Sequence, residues 1–134
     1  MSKVIVYTNS DGNVSVCYPT GELIVEEVQA KDTPAGSIII ENDALPNEHN
    51  EFFNAWELTG STVSVNMDKA KAITKARLRQ EREPLLAAQD VAYQRALESN
   101  ADTTAIVAEK QRLRDITALA DAAATLDELK AITP

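Results

Sequence analysis

Apolar positions follow one rule over the first half of the chain and another over the second. Over residues 1–66 they alternate or gather in short β-branched runs; over residues 67–134 they recur every third or fourth position. Lys3-Val4-Ile5-Val6-Tyr7-Thr8 and Val14-Ser15-Val16-Cys17-Tyr18 predict two strands. Between them Asn9-Ser10-Asp11-Gly12-Asn13 supplies turn residues, with Asp-Gly suited to the positive φ of a hairpin loop. Pro19-Thr20-Gly21 closes the hairpin. Leu23-Ile24-Val25 is a short apolar segment, and Glu26 to Lys31 predicts a helical turn. Ser37-Ile38-Ile39-Ile40-Glu41 predicts a third strand, and Leu45-Pro46-Asn47 a turn. Phe52 to Leu58 predicts a fourth strand, and Thr62-Val63-Ser64-Val65-Asn66, after Gly60, a fifth. These short strands predict one small antiparallel sheet.

The second half predicts helices. Asp68 is placed to cap a helix from Lys69 to Arg82, and Pro84 to kink it or to begin another. Leu85, Ala88, Ala92 and Ala96 follow at helical spacing, widened by Leu86, Tyr93 and Leu97. Ser99-Asn100-Ala101-Asp102 predicts a turn, with Asp102 as the next cap. Ile106, Leu113, Ile116 and Ala120 predict a second helix of matching length, which makes an antiparallel hairpin. Thr125-Leu126-Asp127-Glu128 is a capping box that opens a short terminal helix. The expected fold is α+β: a small N-terminal antiparallel β-sheet (1–66), then a C-terminal α-helical hairpin with a short last helix (67–134). Its alanine-rich seam buries little area, so the hairpin is expected to pack on the sheet, on another subunit or on a partner.

Charge divides at the same place. Residues 1–66 carry Lys3 and Lys31 against ten acids, a net −8; residues 67–134 balance eleven bases with eleven acids. All four glycines and five of the six aromatics lie in the first half, and sixteen alanines in the second. The longest aliphatic run, Ile38-Ile39-Ile40, is too short to span a membrane, and no apolar stretch follows Met1-Ser2-Lys3 as a secretory signal would. These features place the protein in the reducing cytoplasm, or in a particle assembled there.

Candidate chemistry is sparse. One cysteine, Cys17, forms no internal disulfide, and it lies in a predicted strand with no base beside it. The single histidine, His49, excludes any site that needs two imidazoles; with Glu48 and Glu51 it reads as a solvated loop rather than a cation site. The Asn9–Asn13 segment lacks calcium-loop spacing. There is no Gly-x-Ser-x-Gly, phosphate-cradling loop or dinucleotide fingerprint. No catalytic, metal-binding or cofactor-binding residue is nominated, and the expectation is a non-enzymatic protein without cofactors.

Two clusters are candidates for a partner interface. Lys69, Lys71, Lys75, Arg77, Arg79 and Arg82 crowd one helical stretch. They spread over much of the circumference, have no aromatics between them and belong to an acidic chain, which argues against nucleic acid. They read either as a solvated face or as a contact for acidic protein, including the acidic half of a neighbouring copy. Phe52, Phe53 and Trp56 read either as core or as an anchor against a partner.

Several stretches carry a family resemblance. Asp32-Thr33-Pro34-Ala35-Gly36, Leu45-Pro46 and Asn54-Ala55-Trp56-Glu57 resemble small proteins encoded in tail gene clusters of tailed bacteriophages. Val65-Asn66-Met67-Asp68-Lys69-Ala70-Lys71, Arg77 to Leu86, Asp90-Val91-Ala92-Tyr93, Lys110 to Asp115 and Thr125 to Lys130 continue the likeness. It covers most of the chain from about residue 30 onward and consists of scaffold patterns. The resemblance implies a tail-associated, non-enzymatic protein; the charge asymmetry suits head-to-tail contacts that close into a ring, so the expectation is a virion adaptor or collar-type subunit joining fibre or baseplate components in a symmetric homo-oligomer. The alternative it implies is a tail or tail-fibre assembly chaperone that is absent from the mature virion. The resemblance supplies no functional residues, and the charge and hydropathy pattern gives neither nucleic acid nor membrane as an expected partner.

Overall fold

The most deeply buried strand among the described residues is the middle strand of its sheet. In the computed structural model, which describes residues 2–134, β1 (Lys3–Thr8) lies between β2 (Val14–Cys17) and β3 (Ile38–Glu41), antiparallel to both. Val6 stands opposite Val16 on one side and Ile38 on the other. Successive side chains of a strand point to opposite faces. Val4 and Val6 therefore share one face, where they join Val14, Leu45, Trp56 and Val63 in the core. Ile5 points to the other face, where α1 (Val25–Asp32) lies against β1 and β3 and buries Val28. Both faces of β1 are covered, which is why its β-branched residues run together.

The hairpin loop is tied by Asn9. Its side-chain oxygen accepts from the backbone N–H of Asp11 (3.0 Å) and Asn13 (3.1 Å), while Gly12 takes a φ of +83°.

Among the described residues five strands form, but in two sheets rather than one. After β3 the chain makes 3-10 turns over Asn42–Ala44 and Asn47–Ala55. These carry it across the face of the first sheet, so that β4 (Trp56–Thr59) and β5 (Thr62–Val65) pair with each other and stack on the first sheet. The predicted strand from Phe52 is corrected accordingly. Phe52 and Ala55, three residues apart, are both buried in a 3-10 turn, and the strand starts at Trp56.

The helical elements are α2 (Met67–Glu98), α3 (Thr104–Asp115), α4 (Thr117–Ala122) and α5 (Leu126–Ala131). Asn66, not Asp68, caps α2. Its side-chain oxygen accepts from the Lys69 N–H at 3.0 Å, its amide donates to Glu57 at 3.1 Å, and its own N–H bonds to the Ala55 carbonyl. The helix runs through Pro84 without ending. Proline removes one N–H but fits helical φ, and the flanking Arg, Gln, Glu, Leu and Ala residues are strong helix formers.

Asn100 ends the turn after α2 with a φ of +57°. Ala101 N–H bonds to the Ala96 carbonyl and Asn100 N–H to that of Leu97, the paired bonds of a Schellman motif. Thr103, not Asp102, takes the cap position of α3, without a side-chain bond; Asp102, one residue earlier, accepts from the N–H (3.0 Å) and the hydroxyl (2.7 Å) of Thr104. The chain returns antiparallel to α2, as Lys110 reaching Asp90 at 2.7 Å shows. The Thr125 cap forms as its sequence predicts, with Glu128 N–H donating to its hydroxyl at 3.1 Å. The Glu128 carboxylate reaches back one residue further than expected, to the Ala124 N–H.

The chain divides into two compact units, residues 1–70 and 71–134, so the boundary falls one helical turn beyond the composition break. In the second unit Leu113, Ile116, Ala120 and Ala123 are buried at spacings of three and four. Between Leu78 and Leu113, Ala96 alone is buried.

Candidate partner interface

The basic cluster falls on two sides of α2. At 100° per residue, Lys71, Lys75 and Arg82 share a side with buried Leu78, whereas Lys69 and Arg79 point away and are exposed. The inward cations meet helix C-termini, where unpaired carbonyls and the helix dipole favour positive charge. Arg82 donates to the carbonyls of Leu113 (3.2 Å) and Arg114 (2.8 Å) at the end of α3. Lys71 donates to the Asp121 carbonyl at the end of α4, 3.0 Å away, and Lys75 pairs with the Asp121 carboxylate. Arg77 donates to the carbonyls of Leu129 (3.2 Å) and Ile132 (2.9 Å) at the end of α5, and also to Glu81. Four of the six cations therefore spend donors inside this unit, and Lys69 and Arg79 are the two that face outward.

The same bonds fall where α3 gives way to α4. A regular helix would offer the Leu113 and Arg114 carbonyls to the N–H groups four residues on. Arg82 donates to both oxygens, and the buried Ile116 between the two helices keeps right-handed helical angles, φ −60° and ψ −29°.

The aromatic cluster divides as well. Phe52 and Trp56 are buried, and the Trp56 indole donates to the His49 carbonyl at 3.3 Å. Phe53, 38% exposed, lies 4.9 Å from the Trp56 ring at a tilt of 56°. It is the one member of the three that offers a face to water.

Elsewhere the titratable groups do structural work. Hydrogen bonds from the Thr104 hydroxyl and then the Thr104 backbone hold the Asp102 carboxyl below the usual carboxylate range. Its folded pKa lies below its unfolded one, so its stabilising effect is present above the unfolded value and is lost as pH falls through the folded one. Acidification below about pH 4 is expected to fray the first turn of α3, read by amide exchange at Thr104; Asp102→Ala is expected to abolish that pH dependence. Arg112 lowers the Glu109 pKa by hydrogen bonding, and Glu109 raises that of Arg112. This i, i+3 pair is exposed and adds little stability. His49 Nε2 is 3.9 Å from Glu48, and no group of three or more potential metal ligands occurs among the described residues. A groove of about 420 Å³ beside Arg79, Leu86 and Asp90 is walled by α2 alone.

Three further apolar side chains in the first unit are exposed: Tyr18, Leu23 and Ile24. Apolar sequence alone did not separate them from core positions; the signal was their place beside Pro19, Gly21 and Glu22, where turn residues interrupt the strand pattern. In the second unit Leu85, Val91, Leu97, Val107 and Leu119 are exposed. No helix is long and apolar enough to cross a membrane among the described residues.

No family model, curated protein or solved structure matches this chain.

Proposed function

We propose that this chain is a non-enzymatic structural protein of a bacteriophage tail, an adaptor or collar-type subunit that joins fibre or baseplate components within a symmetric oligomer. The observation that carries this reading is the electrostatic division of the chain into two compact units. Residues 1–70 hold the whole net charge of −8, and residues 71–134 hold none. A neutral helical unit suits contact between identical copies, where like charges would repel; an acidic unit suits a different, basic component. The stretches that resemble tail-cluster proteins also have scaffold roles. Arg77 and Arg82 bind helix ends, Trp56 fills the core, and Thr125 caps α5.

Quantitative mass spectrometry of purified infectious particles of the encoding phage tests this. The expected result is a fixed whole-number copy count per tail. A second reading, an assembly chaperone, draws on the exposed apolar side chains of the helical unit, among them Leu85, Val91, Leu97 and Val107 at 43%, 51%, 57% and 50% exposure. Absence from particles with abundance in the lysate would overturn the adaptor and favour the chaperone.

A further inference from the structure

We propose that the surface from Cys17 to Glu27 docks a basic, apolar-anchored segment of a partner protein, laid along the outer edge of β2. The inference does not depend on the tail reading. β2 is an edge strand, paired with β1 on one side only, and an edge strand is a template for one more strand. Directly after it Tyr18, Leu23 and Ile24 are 61%, 43% and 62% exposed, a concentration of large apolar side chains that water disfavours. A cleft of about 180 Å³ opens beside them, with Tyr18, Pro19 and Leu23 at its lip and Val28 among its walls. Small-molecule sites run from about 300 Å³ upward. This cleft is nearer to what one anchoring side chain fills.

Charge selects the occupant. Glu22, Glu26 and Glu27 are exposed around the apolar residues, and Asp32 and Lys31 also line the cleft. A second copy pairing through the same patch would set these carboxylates against their own equivalents, at a cost that specific interfaces avoid. A second copy offering its basic stretch of α2 would have Lys69 and Arg79 to give, because Lys71, Lys75, Arg77 and Arg82 are engaged at helix ends. The matching occupant is a segment of another protein with an apolar anchor flanked by Lys or Arg.

Three short peptides separate the contributions: alternating Leu–Lys, alternating Ser–Lys and alternating Leu–Glu. Each is titrated into the isotope-labelled full chain at roughly 0.15 M salt. The expected result is amide shifts confined to residues 14–28 for Leu–Lys, with affinity at least about tenfold above Ser–Lys and no binding of Leu–Glu. The Leu23→Ser/Ile24→Ser double variant is expected to weaken Leu–Lys binding by about tenfold or more. Its fold is safe, since both sites are exposed and Ile24 is the N-cap position of α1, where serine is favoured. Four results would overturn the proposal: no Leu–Lys binding, equal binding of Ser–Lys, shifts scattered over acidic residues of other elements, or a dimer of the free chain that the double variant dissolves.

Discussion

Trp56→Ala is expected to remove about 3–5 kcal/mol, most of the stability of the β unit. A unit of this size holds roughly 4–10 kcal/mol in all. Trp56 is 1% exposed, and it closes the core between the two sheets against Val4, Val6, Val14, Leu45 and Val63. Alanine leaves a void that the flanking strands cannot collapse into, because β1 is fixed by pairing on both sides. It also leaves the His49 carbonyl without the indole donor. Urea unfolding followed by far-ultraviolet circular dichroism measures the loss. Phe53→Ala is the comparison. At 38% exposure it is expected to cost under about 1 kcal/mol. If the aromatic cluster were a docking anchor rather than core, the two variants would unfold alike.

Arg82→Met is expected to destabilise the helical unit by about 2 kcal/mol. Hydrogen bonds from a charged donor are worth about 1.5–3 kcal/mol when sheltered, and one of the two here is exposed, which discounts the sum. Methionine keeps most of the apolar stem, so the loss reports the two carbonyls at the end of α3. Arg82→Lys is expected to recover part of it, since a single ammonium lacks the guanidinium's fork. Arg79→Met removes an outward cation three residues away and is expected to change stability by under about 0.5 kcal/mol. Chemical denaturation of the three variants checks the order. Equal effects at 79 and 82 would show the clamp to be energetically idle.

The contrast between positions 79 and 82 also marks where sequence reasoning stopped. Local signals were legible. The β-branched runs of β1 and β2, the Asn9–Asn13 turn, the isoleucine strand and the Thr125 cap all follow from residues close together in the chain. The α+β order followed from the change of period. What the pattern did not carry was pairing at a distance. Five strands were visible, but nothing in Phe52 to Leu58 says that 3-10 turns carry β4 over the sheet instead of beside it. Asp68 and Asn66 are both good caps, and the bond from Asn66 N–H to the Ala55 carbonyl decided between them. Pro84 is a helix breaker by propensity, outweighed by the long run of helix formers around it. The six cations were visible as a cluster. Their inward use was not read there: the sequence offered a solvated face or a contact for acidic protein, whereas Lys71, Lys75 and Arg82 lie on the side of buried Leu78.

Arg77, Arg82 and Lys71 grip main-chain oxygens, and every residue type carries that oxygen. These bonds therefore place no demand on the side chains at 113, 114, 121, 129 and 132, which answer only to their other contacts, as buried Leu113 and Leu129 do to packing. Among descendants of this sequence the three cations would hold still while their partners vary independently of them. Paired substitutions, the usual trace of two residues in contact, would be missing at these main-chain joints and confined to side-chain pairs such as Lys75–Asp121 and Asp90–Lys110.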